Sequence, residues 1–159
     1  MKIKNILLII VLFMMVGGFS IFPFINQAFT FKPQEQTQLP DTNLVDSALT
    51  EAQETALLQK GKTIVRFEYN STCEKCLVIK DLLEQLAAQE KFKDQIVVEE
   101  IPSESKDLPK VGIIGFAIDG NQIRVGQKAF QGNVTQEDIL NSLCALMLEP
   151  PVECALRNV

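Results

Sequence analysis

The chain has 159 residues, 47% of them apolar, with a formal net charge of −5 and no histidine. Such a length holds one domain of ordinary size and a short extra segment. An acidic chain without a basic patch interleaved with aromatics repels phosphate backbones, which excludes nucleic acid as a partner, and the lack of histidine removes every Cys–His and Ser–His catalytic arrangement and any copper site built on imidazole.

The extra segment lies at the N-terminus. Lys2 and Lys4 precede Ile6 to Ile25, twenty residues without a charge, and about 20 apolar residues are what a helix needs to cross a bilayer. Gly18-Phe19-Ser20 offers small residues for signal-peptide cleavage, but the apolar run continues through Ile21 to Ile25. A retained single-pass anchor is therefore the expectation, with secretion after cleavage as the alternative. Positive charge on the short N-terminal side places the N-terminus in the cytoplasm and the rest outside. Beyond the anchor thirteen basic residues stand against twenty acidic ones, a charge of −7. An even number of cysteines outside the cytoplasm is expected to be paired. Of the three connectivities open to Cys73, Cys76, Cys144 and Cys154, nearness in sequence favours Cys73–Cys76 and Cys144–Cys154, the second read as a structural staple.

Asn26 to Pro40 is polar, Gln-rich and interrupted by Pro33 and Pro40, a tether of roughly 20 Å root-mean-square length. Residues 1–25 are thus read as anchor or signal segment, 26–43 as tether and 44–159 as the domain. Asp41, Thr42 or Asn43 is expected to cap a helix carrying Leu44, Val45, Ala48, Ala52, Ala56 and Leu57 at helical spacing, ended by Gly61. A β-branched and aromatic strand follows, Thr63 to Tyr69, then a helix-period run from Cys76 to about Gln89 and a strand from Gln95 to Ile101. Pro102 to Pro109 reads as a loop. A third strand, Ile113 to Ile118, ends at the hairpin signal Asp119-Gly120, with Ile123-Arg124-Val125 returning. Between Gly126 and Gly132 no element is assigned. Thr135 with Asp138 makes a weak capping box for a final helix whose apolar face is Ile139, Leu140, Leu143, Ala145 and Leu146, stopped by Pro150-Pro151.

Cys73 and Cys76 fall where the first strand gives way to its helix. A thiol in a helix's first turn lies beside unsatisfied backbone N–H groups and the positive end of the dipole, which favour the thiolate. A second sulfur one turn on can attack the mixed disulfide formed by the first and release the partner. Thiol–disulfide exchange is thus the leading reading of the motif, with zinc and a purely structural disulfide beside it. Zinc would need all four cysteines, and the nine residues between Cys144 and Cys154 do not match knuckle spacing. Glu74 disfavours and Lys75 favours the Cys73 thiolate. Arg66 and Glu68 alternate onto one face of the strand, where an ion pair between them is expected. Asn70-Ser71-Thr72 and Asn133-Val134-Thr135 match the glycosylation triplet, and a glycan at Asn70 would crowd the cysteines.

With this order of elements and the CxxC at the start of the first core helix, residues 44 to about 148 resemble a thioredoxin-like domain, similar to the membrane-tethered extracytoplasmic members of that superfamily. The resemblance implies an α/β fold, a central mixed sheet flanked by helices, behind an N-terminal transmembrane helix. It also implies an exposed attacking sulfur at Cys73 and a more buried resolving sulfur at Cys76. Thr72 stands where the family has tryptophan, and Glu74-Lys75 is neither Gly-Pro nor a histidine pair. The cis-proline that in this superfamily precedes the third strand and docks the substrate backbone is expected at Gly112, with Val111, Gly112 and Ile113 as the docking segment and Pro109 three residues too early. The buried acid that in this family serves the resolving cysteine would align with Phe67. The function implied is a thiol–disulfide oxidoreductase acting on cysteine pairs of exported proteins and reset by a membrane electron carrier, without cofactor or metal. The alternative is a thioredoxin-like module that binds partners or handles metal without turnover, which loss of the proline would favour.

Overall fold

The computed structural model describes residues 37–119 and 122–156. Among them are strands β1 (Leu44–Val45), β2 (Thr63–Tyr69), β3 (Ile96–Pro102), β4 (Lys110–Asp119) and β5 (Gln122–Gln131), and helices α1 (Glu51–Gln59), α2 (Glu74–Ala88), α3 (Glu90–Lys93), α4 (Gln136–Leu146) and α5 (Val152–Ala155). The strands form one mixed sheet in the order β1-β3-β2-β4-β5. β3 runs parallel to β1 and β2, whereas β4 is antiparallel to β2 and to β5.

A strand sandwiched between helices needs apolar side chains on both faces, and Thr63-Ile64-Val65 and Phe67 of β2 are all buried. On one face Val65, Phe67, Ile96, Val98, Val111 and Ile113 pack against Ile79, Leu83 and Leu86 of α2 and Ile139, Leu143 and Leu146 of α4. On the other, Ile64 and Val97 pack against Leu49 and Leu57. This mixed sheet with helices on both faces fits the thioredoxin-like fold. Both cores are drawn from residues 39–147, so this part carries what it needs to fold on its own.

The first helix starts later than its periodicity predicts. Leu44 and Val45 form β1 instead, opposite Val98 and Glu99, because Val98 N–H donates to the Asn43 carbonyl (2.8 Å) and the Asn43 side chain donates to the Ala87 carbonyl (2.6 Å). Thr50, not residues 41–43, caps α1, and Gln53 closes a capping box with it. Residues 38–43, assigned to the tether by composition, lie against the domain: Leu39 packs beside Ile64 and Val97, and Gln53 donates to the Gln38 carbonyl.

The hairpin is longer than its apolar residues suggest. β4 begins three residues before Ile113, and all ten of its residues pair with β5. Gly126, read as a boundary, lies inside β5, where a Cβ would meet Leu146 Cδ2 at 2.9 Å and Ala117 Cβ at 3.0 Å. β2 pairs with β4 only over Lys110 to Ile114, so Gly115 to Asp119 pair with β5 alone, and Phe116 to Asp119 overhang the end of β2. Among the described residues no helix is long and apolar enough to cross a membrane. Ile6 to Ile25, on which the anchor reading rests, lies outside them.

Candidate active site

β2 ends at Tyr69, and an Asx turn carries the chain into α2: the Thr72 amide and hydroxyl both donate to Asn70 Oδ1 at 2.9 Å. Cys73 is the N-cap of α2, with extended backbone, and its Sγ accepts the Cys76 amide at 3.2 Å. The sulfur shares that amide with the Cys73 carbonyl, which accepts it at 2.9 Å, and the bond to sulfur would stabilise a thiolate at Cys73. The two cysteines are joined as a disulfide with Cα atoms 5.2 Å apart. Cys73 is half-buried, whereas Cys76 is fully buried and belongs to the core packed on Phe67 and Val111. Solvent therefore reaches Cys73 and not Cys76. Leu77 and Val78, 44% and 68% exposed, put an apolar surface directly after Cys76. Lys75 Nζ donates to Asn133 Oδ1 at 2.8 Å and ties the dipeptide between the cysteines to the β5–α4 loop.

The structure corrects the position of the proline. Leu108–Pro109 is the cis peptide bond, and Pro109, buried, immediately precedes β4 at the end of the sheet that carries the CxxC. Its carbonyl accepts the Gly132 amide at 2.9 Å. Gly112 is instead mid-strand, opposite Arg66 and Ala129. Counting back from the turn misplaced the residue because the hairpin is longer than the run of Ile and Phe that marks it. Val111 and Ile113 point into the core, and Gly112 lines a groove of about 270 Å³ on the other face with Arg66, Glu68, Lys110 and Ala129.

The charged residues near the motif pair differently from their sequence reading. Arg66 does not bind Glu68; it bridges Glu54 of α1 and the buried Glu99, the latter at 3.1 Å, while Glu68 lies 3.8 Å from Lys110. Burial pushes the Glu99 carboxyl above the usual range, an effect the Arg66 guanidinium partly offsets. The buried Glu100, across the strands from Phe67, binds Lys80, which also holds Glu84 at 2.8 Å. Burial opposes charge on Lys80, but Glu100 and Glu84 outweigh it and hold the ammonium above its ordinary range. Lys80 lies one helical turn after Cys76 and 5.3 Å from the centre of the Tyr69 ring. Sequence reasoning passed over Glu99 and Glu100. Two adjacent acids in an Ile- and Val-rich strand point to opposite faces, so both faces need a cation, and that signal was present.

Cys144 and Cys154 are joined as a disulfide with Cα atoms 5.3 Å apart. α4 starts beside the Asn133–Lys75 contact, and Cys144 comes eight residues after Gln136, about 12 Å further along the axis. The two pairs thus lie toward opposite ends of the domain and do not converge as a four-cysteine zinc site would require. Among the described residues no group of three or more His, Cys, Asp or Glu is arranged to hold a metal ion.

No family model matches the sequence, and no curated protein matches it. Among solved structures the chain is similar to a chloroplastic thioredoxin z, at 21% identity over 60% of this chain and 87% of that one with a TM-score of 0.42. It is also similar to a thioredoxin of Trichomonas vaginalis, at 14% identity over 62% and 94% with a TM-score of 0.41. A third likeness is to a redox protein from Chlamydomonas reinhardtii, at 18% identity over 71% and 38% with a TM-score of 0.47.

Proposed function

We propose that the protein is a membrane-anchored, extracytoplasmic thiol–disulfide oxidoreductase in which Cys73 attacks and Cys76 resolves. The observation that carries this reading is the contrast between the two sulfurs: Cys73 is accessible and caps a helix through its own sulfur, while Cys76 is sealed in the core. In the reducing direction the Cys73 thiolate attacks one sulfur of a partner disulfide, forming a mixed disulfide and expelling a partner thiolate that takes a proton from water. Cys76 then loses its proton and attacks Cys73 Sγ, releasing the second partner thiol and leaving Cys73–Cys76 oxidised by two electrons. The reverse sequence oxidises a partner dithiol. Cysteine pairs of exported proteins are the substrates, and a membrane electron carrier resets the motif. The metal-handling or binding alternative drew on a missing proline, on Thr72 in place of tryptophan and on the Glu74-Lys75 dipeptide; Pro109 at the head of β4 weakens the first of these.

Trapping tests the assignment. Cys76→Ser should accumulate mixed disulfides with exported proteins, and Cys73→Ser should accumulate none. Equal trapping by both variants, or by neither, would overturn it.

A further inference from the structure

Six of the eight large apolar side chains that stand exposed among the described residues gather at the end of the sheet opposite the CxxC. Ile118, Ile123 and Val125, 60 to 70% exposed, lie on the overhanging part of the β4–β5 hairpin. Leu148 sits beside Gly61, just before β2 begins. Val152 and Leu156, both above 80% exposed, are the first residue and the C-cap of α5, which the Cys144–Cys154 bond and the Glu153–Lys91 pair hold against the last turns of α4 and against α3. Scattered apolar residues are ordinary on a surface, but a cluster at one end marks a contact. The described chain enters at the same end: Leu39 to Asn43 line a groove of about 360 Å³ with Lys60, Lys62, Lys93 and Asp94. Only eleven residues separate Ile25 from Thr37, which even fully extended span at most about 40 Å.

We infer that this end of the domain is a membrane-docking surface, on which the hairpin overhang and the tail lay their apolar side chains into the lipid interface and hold the CxxC on the far side, toward exported partners. The inference rests on the anchored reading of Ile6 to Ile25, because a short tether that leaves from one end of the domain keeps that end nearest the bilayer. The chemistry fits a phospholipid interface: aliphatic side chains enter the acyl boundary, while Lys60, exposed at the rim, meets phosphate headgroups. Asp41 and Asp94 at the same groove make the apolar contribution the larger one.

The chain contains no tryptophan, so one placed at a chosen site reports only on that site. Residues 37–159 carrying Ile123→Trp should bind vesicles of phosphatidylcholine, whose zwitterionic headgroup does not repel an acidic domain, and brominated acyl chains should quench the indole. The same fragment with Leu77→Trp, at the CxxC end, should bind but stay unquenched. Adding Ile118→Asn and Val125→Asn to the Ile123→Trp fragment should weaken its binding about tenfold or more. Absence of binding, or quenching at position 77 and not 123, overturns the inference. A concentration-dependent dimer of the fragment that those substitutions abolish also overturns it, in favour of a second copy as the occupant. The anchor reading is tested separately by carbonate extraction of the full chain: extraction with bound fragment sinks the anchor and leaves the surface, while retention without fragment binding does the reverse.

Discussion

Replacing Cys144 and Cys154 together by serine isolates what the second disulfide does. The bond closes a loop with a sequence separation of 10, and in the loop-entropy model a closed loop of about eleven residues is worth about 3 kcal/mol. Little else fixes the tail. The Lys91–Glu153 pair is 41% and 60% exposed and is screened by water and salt, and Cys154 is the only buried residue of α5. The unit Thr37–Val159 gains roughly 2.1 cal/mol/K of entropy per residue on unfolding, so a loss of about 3 kcal/mol in stability lowers the melting temperature by about 11 °C. Calorimetry of residues 37–159 with and without the substitutions reads this directly, and turnover of a small disulfide substrate by the same samples reads the redox role. Because the second pair lies about 12 Å along α4 from the CxxC end, turnover at a temperature where both proteins are folded should be unchanged. A shift below about 3 °C would refute the staple. Turnover abolished in a folded variant would make the pair a relay.

Two further expectations concern packing and charge. Gly115→Ala should destabilise by about 3 kcal/mol, because a Cβ there would lie 2.1 Å from the Leu146 carbonyl oxygen and 2.9 Å from Thr63 Oγ1. Gly112→Ala in the same strand, 3.8 Å from Arg66 Cβ, should be nearly neutral, and urea unfolding giving equal costs for the two would contradict the packing described for the end of α4. Burial raises the Glu99 carboxyl; a raised folded value stabilises below the unfolded one, near 4.3, and that contribution is lost as pH climbs through the folded one. The unfolding free energy of the native protein minus that of Glu99→Gln should therefore fall from about pH 4 toward neutrality, and a flat or rising difference would show that Arg66 fully compensates the acid.

What the sequence made legible was local. The Cys73–Cys76 junction, the Thr135–Asp138 box and the Ile139-Leu143-Leu146 stripe each depend on residues within one or two turns of one another, and periodicity reports such relations directly. β1 was hidden because Leu44 and Val45 satisfy a helical spacing as well as a strand's, and the choice was made by Asn43, whose partners lie 44 and 50 residues away. The second half of β5 was hidden for another reason. From Gly126 to Gln131 it is mostly exposed and polar, an edge strand held by backbone pairing to β4 rather than by an apolar pattern. Without that half the hairpin looks short, and the proline is counted to the wrong residue.

Glu99 and Glu100 connect the site to the rest of the fold. A pair of adjacent acids in the middle of a buried strand is tolerated only when each side of the sheet supplies a cation, since removal of either partner would leave a buried charge uncompensated. On one side Arg66 joins Glu99 to Glu54 of α1. On the other, Lys80 joins Glu100 to the helix that holds Cys76, with Tyr69, the last residue before the CxxC turn, stacked on Phe67 and lying against the same ammonium. Each acid keeps one oxygen without a hydrogen-bond partner among the described residues, so both pairings cost desolvation that an apolar strand would avoid. Their return is positional: α1 and α2 are each tied to the sheet by charge, and the tie on α2 falls one turn after Cys76, where any slip of the helix would change the reach from Cys76 to Cys73.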